Sequence, residues 1–213
     1  MEMQEFGNAS AKIVLIQMVD DHDMEGMNSE LAAIRESTGA DFLMRVFPVK
    51  SWNEDLSPWQ APPVFGREGF GAGAQSTLEE VLKTCTDPDK VYYIGGYSLA
   101  GLFALWSAYQ TDVFSGVAAA SPSVWFPKFL DYMKSRRPLC DKVYLSLGDR
   151  EAKTRNKVMA TVAERIQQAH ELLSNQGIEC TLEWNEGNHF RDADLRTAKA
   201  FSWLINTIAG KDI

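Results

Sequence analysis

Six short apolar runs, most of them followed by helical patterning, limit what this chain can fold into more than any other feature. IVLIQMV at 13–19, FLMRVFPV at 42–49, VYYI at 91–94, GVAAA at 116–120, KVYLSL at 142–147 and IECTLEW at 178–184 read as strands. Met27–Thr38, Ser76–Lys83, Leu99–Gln110, Lys157–Ser174 and Ala193–Ile208 read as helices. The punctuation agrees. Gly39 suits a helix C-cap, Ser76-Thr77 with Glu79-Glu80 suits a helix start, and Asn175-Gln176-Gly177 suits a stop. Pro48 ends pairing near the close of the second strand. Strands that alternate with helices need crossover connections, so the expectation is an α/β fold: a mostly parallel sheet with helices on both faces. The whole chain, 1–213, reads as a single domain. In such sheets ligands bind beyond the carboxyl ends of the strands.

The glycine-rich stretch GGYSLAG at 95–101 lies at one of those ends. Glycine loses the most backbone entropy on ordering, so its place between a strand and a helix calls for a steric reason. Gly96-Tyr97-Ser98-Leu99-Ala100 nearly matches G-x-S-x-G, a sharp turn that lifts a serine hydroxyl above a sheet. Ala100 stands where the second glycine would be and adds only a methyl.

A serine hydroxyl needs a base to become a nucleophile. Of the three histidines, His170 lies mid-helix and His22 follows the first strand. His189, in NEGNHF, follows the last strand and precedes the last helix, and the chain order serine, acid, histidine fits. The acid should follow KVYLSL, where Gly148-Asp149-Arg150-Glu151 offers two carboxylates. Glu151 is favoured because it can turn back over the sheet edge, and Asp149 is the alternative. An oxyanion hole would take the backbone N–H of Leu99, and a second from Asp21 or His22 in the loop after the first strand. Asp20-Asp21-His22-Asp23 also raises a metal reading, but adjacent residues diverge and no second ligand cluster accompanies them. Turn and cap roles suit those side chains, and no metal or cofactor is expected.

Residues 51–74, SWNEDLSPWQAPPVFGREGFGAGA, read as a long loop or short cap rather than a regular element. Its place after a strand suggests an access segment over the site. Trp52, Trp59 and Trp125 could line an acyl or alcohol pocket, or pack the core.

The formal charge is −8, and the pI is near 4.9. Nucleic acid is therefore an unexpected partner, since the one basic run, Lys134-Ser135-Arg136-Arg137, is short and suits a solvated helix end. No stretch is apolar enough to span a bilayer and MEMQEFGNAS has no secretory pattern, so no membrane partner is expected. Cys85, Cys140 and Cys180 are odd in number and form no CxxC, which suits reduced thiols in a cytoplasmic protein.

Four pieces, GGYSLAG, AAASPSVWF at 118–126, LSLGDRE at 145–151 and GNHF at 187–190, resemble the α/β-hydrolase superfamily. The nearer resemblance is to its esterase branch, which includes esterase D-like and enterochelin esterase-like proteins. In these relatives Ser-Pro-Ser-x-Trp follows the strand after the elbow and a G-x-x-E turn often carries the acid, which again favours Glu151. The resemblance implies an α/β-hydrolase fold and hydrolysis of small carboxylic esters or thioesters through an acyl-enzyme. Two departures stand out. Asp20-Asp21 replaces the usual His-Gly or Asp-Gly, and the N-terminal β-hairpin is expected to be short or absent. The same triad could serve an acyltransferase or a peptidase, and an inactive ligand-binding protein is the reading from another class.

Overall fold

The computed structural model describes residues 2–209. The expected alternation is present: β2 (Ile13–Val19), β3 (Phe42–Pro48), β4 (Val91–Tyr97), β5 (Phe114–Ala120), β6 (Lys142–Gly148) and β7 (Glu179–Asn185) all run parallel. A four-residue strand, β1 (Gln4–Gly7), pairs antiparallel with β3, so the order across the sheet is β1-β3-β2-β4-β5-β6-β7. Among the described residues the N-terminal hairpin is absent and only this short strand precedes β2, in keeping with the expected compact N-terminus, although β1 itself was not among the six runs read as strands. QEFG is too short and polar to announce itself, and its pairing with β3 is not local in sequence.

Helices cover both faces because the strands are apolar on both. The helices are α1 (Asp21–Thr38), α2 (Trp52–Asp55), α3 (Ala74–Leu82), α4 (Ser98–Ser107), α5 (Phe129–Lys134), α6 (Val162–Asn175) and α7 (Ala193–Ala209). On one face α1 and α7 pack Met27, Leu31, Ile34, Phe201 and Leu204 over Leu15, Val19, Tyr93 and Tyr97. On the other, α3 to α6 pack Leu78, Phe103, Phe129 and Ile166 over Val14, Ile16, Ile94 and Val143. The strand residues of the two cores alternate, as the period of two requires.

Three helical boundaries differ from the sequence reading. α1 begins at Asp21, six residues before Met27, because Asp20 and Asp23 form a capping box: Asp23 N–H donates to Asp20 Oδ1, and Asp20 N–H donates to Asp23 Oδ2. α3 starts at Ala74, and Ser76 is not its cap. Residues 129–134, to which no helix was assigned, form α5, and the basic run begins at its last residue.

Within the α1/α7 layer, Gln17 of β2 and Glu30 of α1 are both about 2% exposed, and Gln17 Nε2 donates to Glu30 Oε2 at 3.2 Å. Burial pushes the Glu30 carboxyl up from 4.5 to about 8, against the smaller opposing effect of that hydrogen bond. Gln17 Oε1 and Glu30 Oε1 have no partner among the described residues. A neutral Glu30 has a donor to offer there that a carboxylate lacks. With its folded pKa raised, Glu30 keeps a proton that the unfolded chain gives up between pH 4.5 and about 8, so its contribution to stability falls as pH rises through that window. Glu30→Gln cannot ionise. Its melting temperature should gain on the wild type as pH goes from about 5 to about 9. Thermal unfolding of both proteins across that range checks this, and a constant difference would contradict it.

Candidate active site

The turn between β4 and α4 answers the question posed by its glycines. A Cβ on Gly96 would lie 2.7 Å from Ala100 Cβ and 3.1 Å from Ala100 C. The two small positions thus exist for one contact, the close approach of strand and helix. Between them Ser98 has φ +56°, a left-handed conformation that side chains adopt at a cost. Ser98 is half-buried at the carboxyl end of β4.

His189 and Glu151 meet Ser98 there. Ser98 Oγ is 2.9 Å from His189 Nε2, and His189 Nδ1 is 2.7 Å from Glu151 Oε2. A carboxylate only accepts, so Nδ1 carries the proton, and Nε2 is left to accept from the serine hydroxyl. The Glu151 side chain is 4% exposed. Its Oε1 accepts from the Gly148 N–H at 2.7 Å and from Ser121 Oγ at 2.8 Å.

Asp149, the alternative acid, points elsewhere. Its Oδ1 accepts from the Gly187 N–H at 2.8 Å, while Arg150 N–H donates to Gly187 O at 3.0 Å. It ties down the loop that carries His189 and makes no contact with the imidazole. His22 is exposed beside Glu25, and His170 faces the carbonyl of Cys180. Neither joins the serine.

Leu99 N–H lies in the first turn of α4 and Asp21 N–H in the first turn of α1, where helices leave donors without an internal acceptor. The pairing of β2 with β4 ends at Gln17 opposite Gly95, close to the carboxyl ends from which α1 and α4 start. The side chains of Asp20 and Asp23 are occupied in capping. No group of three or more His, Cys, Asp or Glu side chains among the described residues is arranged to hold a metal. The thiols are not activated: burial pushes Cys85 up to about 11, and Cys140 and Cys180 to about 12.

The segment 51–74 lies at the same end of the sheet. It holds the short α2 and a bridge between Ala61 and Phe70. Phe65 and Phe70 contact the Trp125 ring, at centroid distances of 5.9 and 6.0 Å. Trp125 is buried. Trp59 donates its indole N–H to Pro127 O and packs among Phe126, Phe129 and Tyr132, which anchors the segment. Trp52 lines an open cleft of about 960 Å³ with Asp20, Asp21, Val49 and Asp55.

Three residues beside the site were not singled out from the sequence: Ser121, Ser123 and Tyr97. The first two are the serines of the Ser-Pro-Ser piece. Ser121 donates to Glu151, and Ser123 N–H donates to Ser98 O at 3.0 Å. The piece was legible, but not the division of work between its serines. Tyr97 donates its hydroxyl to His189 O at 2.8 Å, and burial, with the Glu151 charge next, pushes that phenol up to about 12, so it stays a donor.

No family model matches the chain, and no curated protein does. Solved structures do. An IroE-like serine hydrolase from Shewanella oneidensis aligns with a TM-score of 0.74 at 14% identity, over 96% of this chain and 75% of that one. The enterobactin esterase FES from Shigella flexneri aligns at 0.65 and 13%, over 97% of this chain, which spans 55% of that protein. The Pyrococcus furiosus esterase Pf2001 aligns at 0.63 and 13%, over 98% of this chain and 86% of that one. At such identities the likeness is one of fold: the chain has the α/β-hydrolase fold.

Gly96→Ala should lower the melting temperature by an amount matching about 1–3 kcal/mol of overpacking. Adding Ala100→Gly should restore part of it, because the nearest clashing atom is gone while Ala100 C remains at 3.1 Å. Thermal unfolding of the two single variants and the double variant checks the coupling, and simple additivity would contradict it.

Proposed function

We propose that the protein is a serine hydrolase of the esterase type, cleaving small carboxylic esters or thioesters through an acyl-enzyme. The observation that carries this is the continuous hydrogen-bonded chain from Ser98 Oγ through His189 to Glu151. Ser98 Oγ attacks the acyl carbonyl as its proton passes to His189 Nε2. The oxyanion is held by Leu99 N–H and Asp21 N–H, which lie at two helix N-termini where the dipoles favour negative charge. The carbon–oxygen or carbon–sulfur bond then breaks, and His189 returns the proton to the leaving alkoxide or thiolate. Water, deprotonated by His189, attacks the acyl-serine and releases the acid with free Ser98. Glu151 stays ionised throughout, holding the tautomer and stabilising the imidazolium.

Exposed Phe65, backed by the buried rings of Trp125 and Phe70, offers an apolar surface to an acyl or alcohol group, and the 51–74 segment would govern access to it. Names of the structural neighbours support the ester class: a serine hydrolase and two esterases. No helix among the described residues is long and apolar enough to cross a membrane. A cytoplasmic site of action is part of this reading.

Wild-type protein should react with a fluorophosphonate probe and hydrolyse para-nitrophenyl esters, and a panel of acyl lengths would define the pocket. Ser98→Ala should abolish labelling and lower kcat by roughly 10⁴-fold or more. Undiminished turnover by a clean Ser98→Ala preparation would end the proposal.

The two carboxylates of the Gly148–Glu151 turn separate cleanly. Glu151→Gln should cost about 10²–10⁴-fold in kcat, since an amide neither stabilises the imidazolium nor fixes the tautomer. Asp149→Asn keeps an oxygen acceptor for the Gly187 N–H and should stay within about threefold of wild type. Steady-state kinetics on both decide it, and an inactive Asp149→Asn would exchange the roles.

A further inference from the structure

Arg196 on α7 is among the largest fully buried side chains of the protein, at 2% exposed. A buried guanidinium is costly unless its charge is paired and its donors are used. Its Nη1 donates to Glu151 Oε1 at 3.1 Å and to Tyr97 Oη at 3.0 Å, with Ser121 Oγ at 3.5 Å. Its Nη2 donates to Glu186 O at 3.0 Å, on the loop that leads to His189. The side chain therefore touches the ends of four strands: β4 through Tyr97, β5 through Ser121, β6 through Glu151 and β7 through Glu186.

The consequence at Glu151 is an asymmetry. Oε1 receives three donors, from Gly148 N–H, Ser121 Oγ and Arg196 Nη1, while among the described residues Oε2 receives His189 Nδ1 alone. An oxygen so crowded cannot turn toward the imidazole without breaking all three bonds. The Arg196–Glu151 ion pair is itself buried, its two side chains 2% and 4% exposed. On the other side, Tyr97 accepts from Arg196 and donates to His189 O, so the same guanidinium sets the height of the histidine's backbone. The room for this is made by Gly148, where a Cβ would lie 3.0 Å from both Arg196 Nη1 and Glu151 Oε1.

We propose that Arg196 is the positioning residue of this site, which presents Glu151 Oε2 to His189 and holds the His189 backbone through Tyr97. The proposal rests on the serine hydrolase reading. Arg196 touches neither Ser98 nor any substrate; it acts through the pair.

The test compares wild type, Arg196→Met and Arg196→Lys with para-nitrophenyl butyrate, alongside the far-downfield proton NMR signal of His189 Nδ1–H. Arg196→Met should lower kcat by about 10–100-fold with KM within about threefold, because the loss falls on the transition state. The downfield signal should vanish or move. Arg196→Lys keeps the charge but cannot reach Glu151 and Glu186 O together, so it should recover only part of the lost kcat, staying about threefold to fivefold below wild type, with the signal present but shifted from the wild-type position. A folded Arg196→Met with wild-type kcat and an unmoved signal overturns the proposal. So does an Arg196→Lys no better than Arg196→Met. Should Arg196→Met fail to fold, Arg196→Lys decides alone: reduced kcat with a shifted signal supports the role, and wild-type values for both overturn it. If the hydrolase reading itself were wrong, Ser98→Ala would turn over the ester like wild type, an outcome that failure of this proposal alone does not produce.

Discussion

The approach of α4 to β4 at Gly96 and Ala100 is the contact on which the rest of the site depends. With no Cβ on Gly96 to meet Ala100 Cβ at 2.7 Å, the helix can begin at the residue directly after the strand's last. That leaves no loop in which Ser98 could relax. The side chain must stand at φ +56°, above the sheet, with the first free N–H groups of α4 directly behind it. Every other group comes to the serine. His189 arrives on the loop after β7, Glu151 on the turn after β6, and the Ser121–Ser123 segment on the chain after β5. Each arrives because a parallel sheet delivers all its strand ends to one side.

The parts of this arrangement that are local in sequence could be read in advance. Six apolar runs became six parallel strands, and the serine, histidine and glutamate named from the sequence lie within hydrogen-bond distance of one another. What escaped was non-local or polar and buried. β1 pairs with a strand some forty residues away, and four residues with a polar surface carry no periodicity to betray them. The early start of α1 was hidden by its own cap, since Asp20 to Asp23 look like a charged loop until their reciprocal hydrogen bonds are seen. Arg196 lies in a helix whose pattern marks it as one more charge, and only the assembled strand ends show why a guanidinium is buried there.

The acidic cluster after β2 illustrates how residue type and role can part company. Three aspartates and a histidine invited a ligand reading, yet two of the carboxylates are occupied with the backbone of α1. Asp23 is held partly out of solvent, and burial, with the Asp20 charge next, pushes it up to about 6. The negative side chains of Asp20 and Asp23 are thus the means of starting that helix.

Why a glutamate at 151 rather than an aspartate follows from the turn. Glu151 N–H donates to Gly148 O at 3.1 Å, closing a tight turn. From there the carboxylate has to fold back far enough to accept the Gly148 N–H with one oxygen and meet His189 with the other. A side chain shorter by one methylene, on the same backbone, could serve the turn or the histidine but would be stretched to serve both. Asp149 sits nearer the strand end, where the shorter side chain suffices to hold the Gly187 N–H. The two carboxylates therefore grip the histidine loop at two points, one at its backbone and one at its ring. Their lengths match the distances each must span.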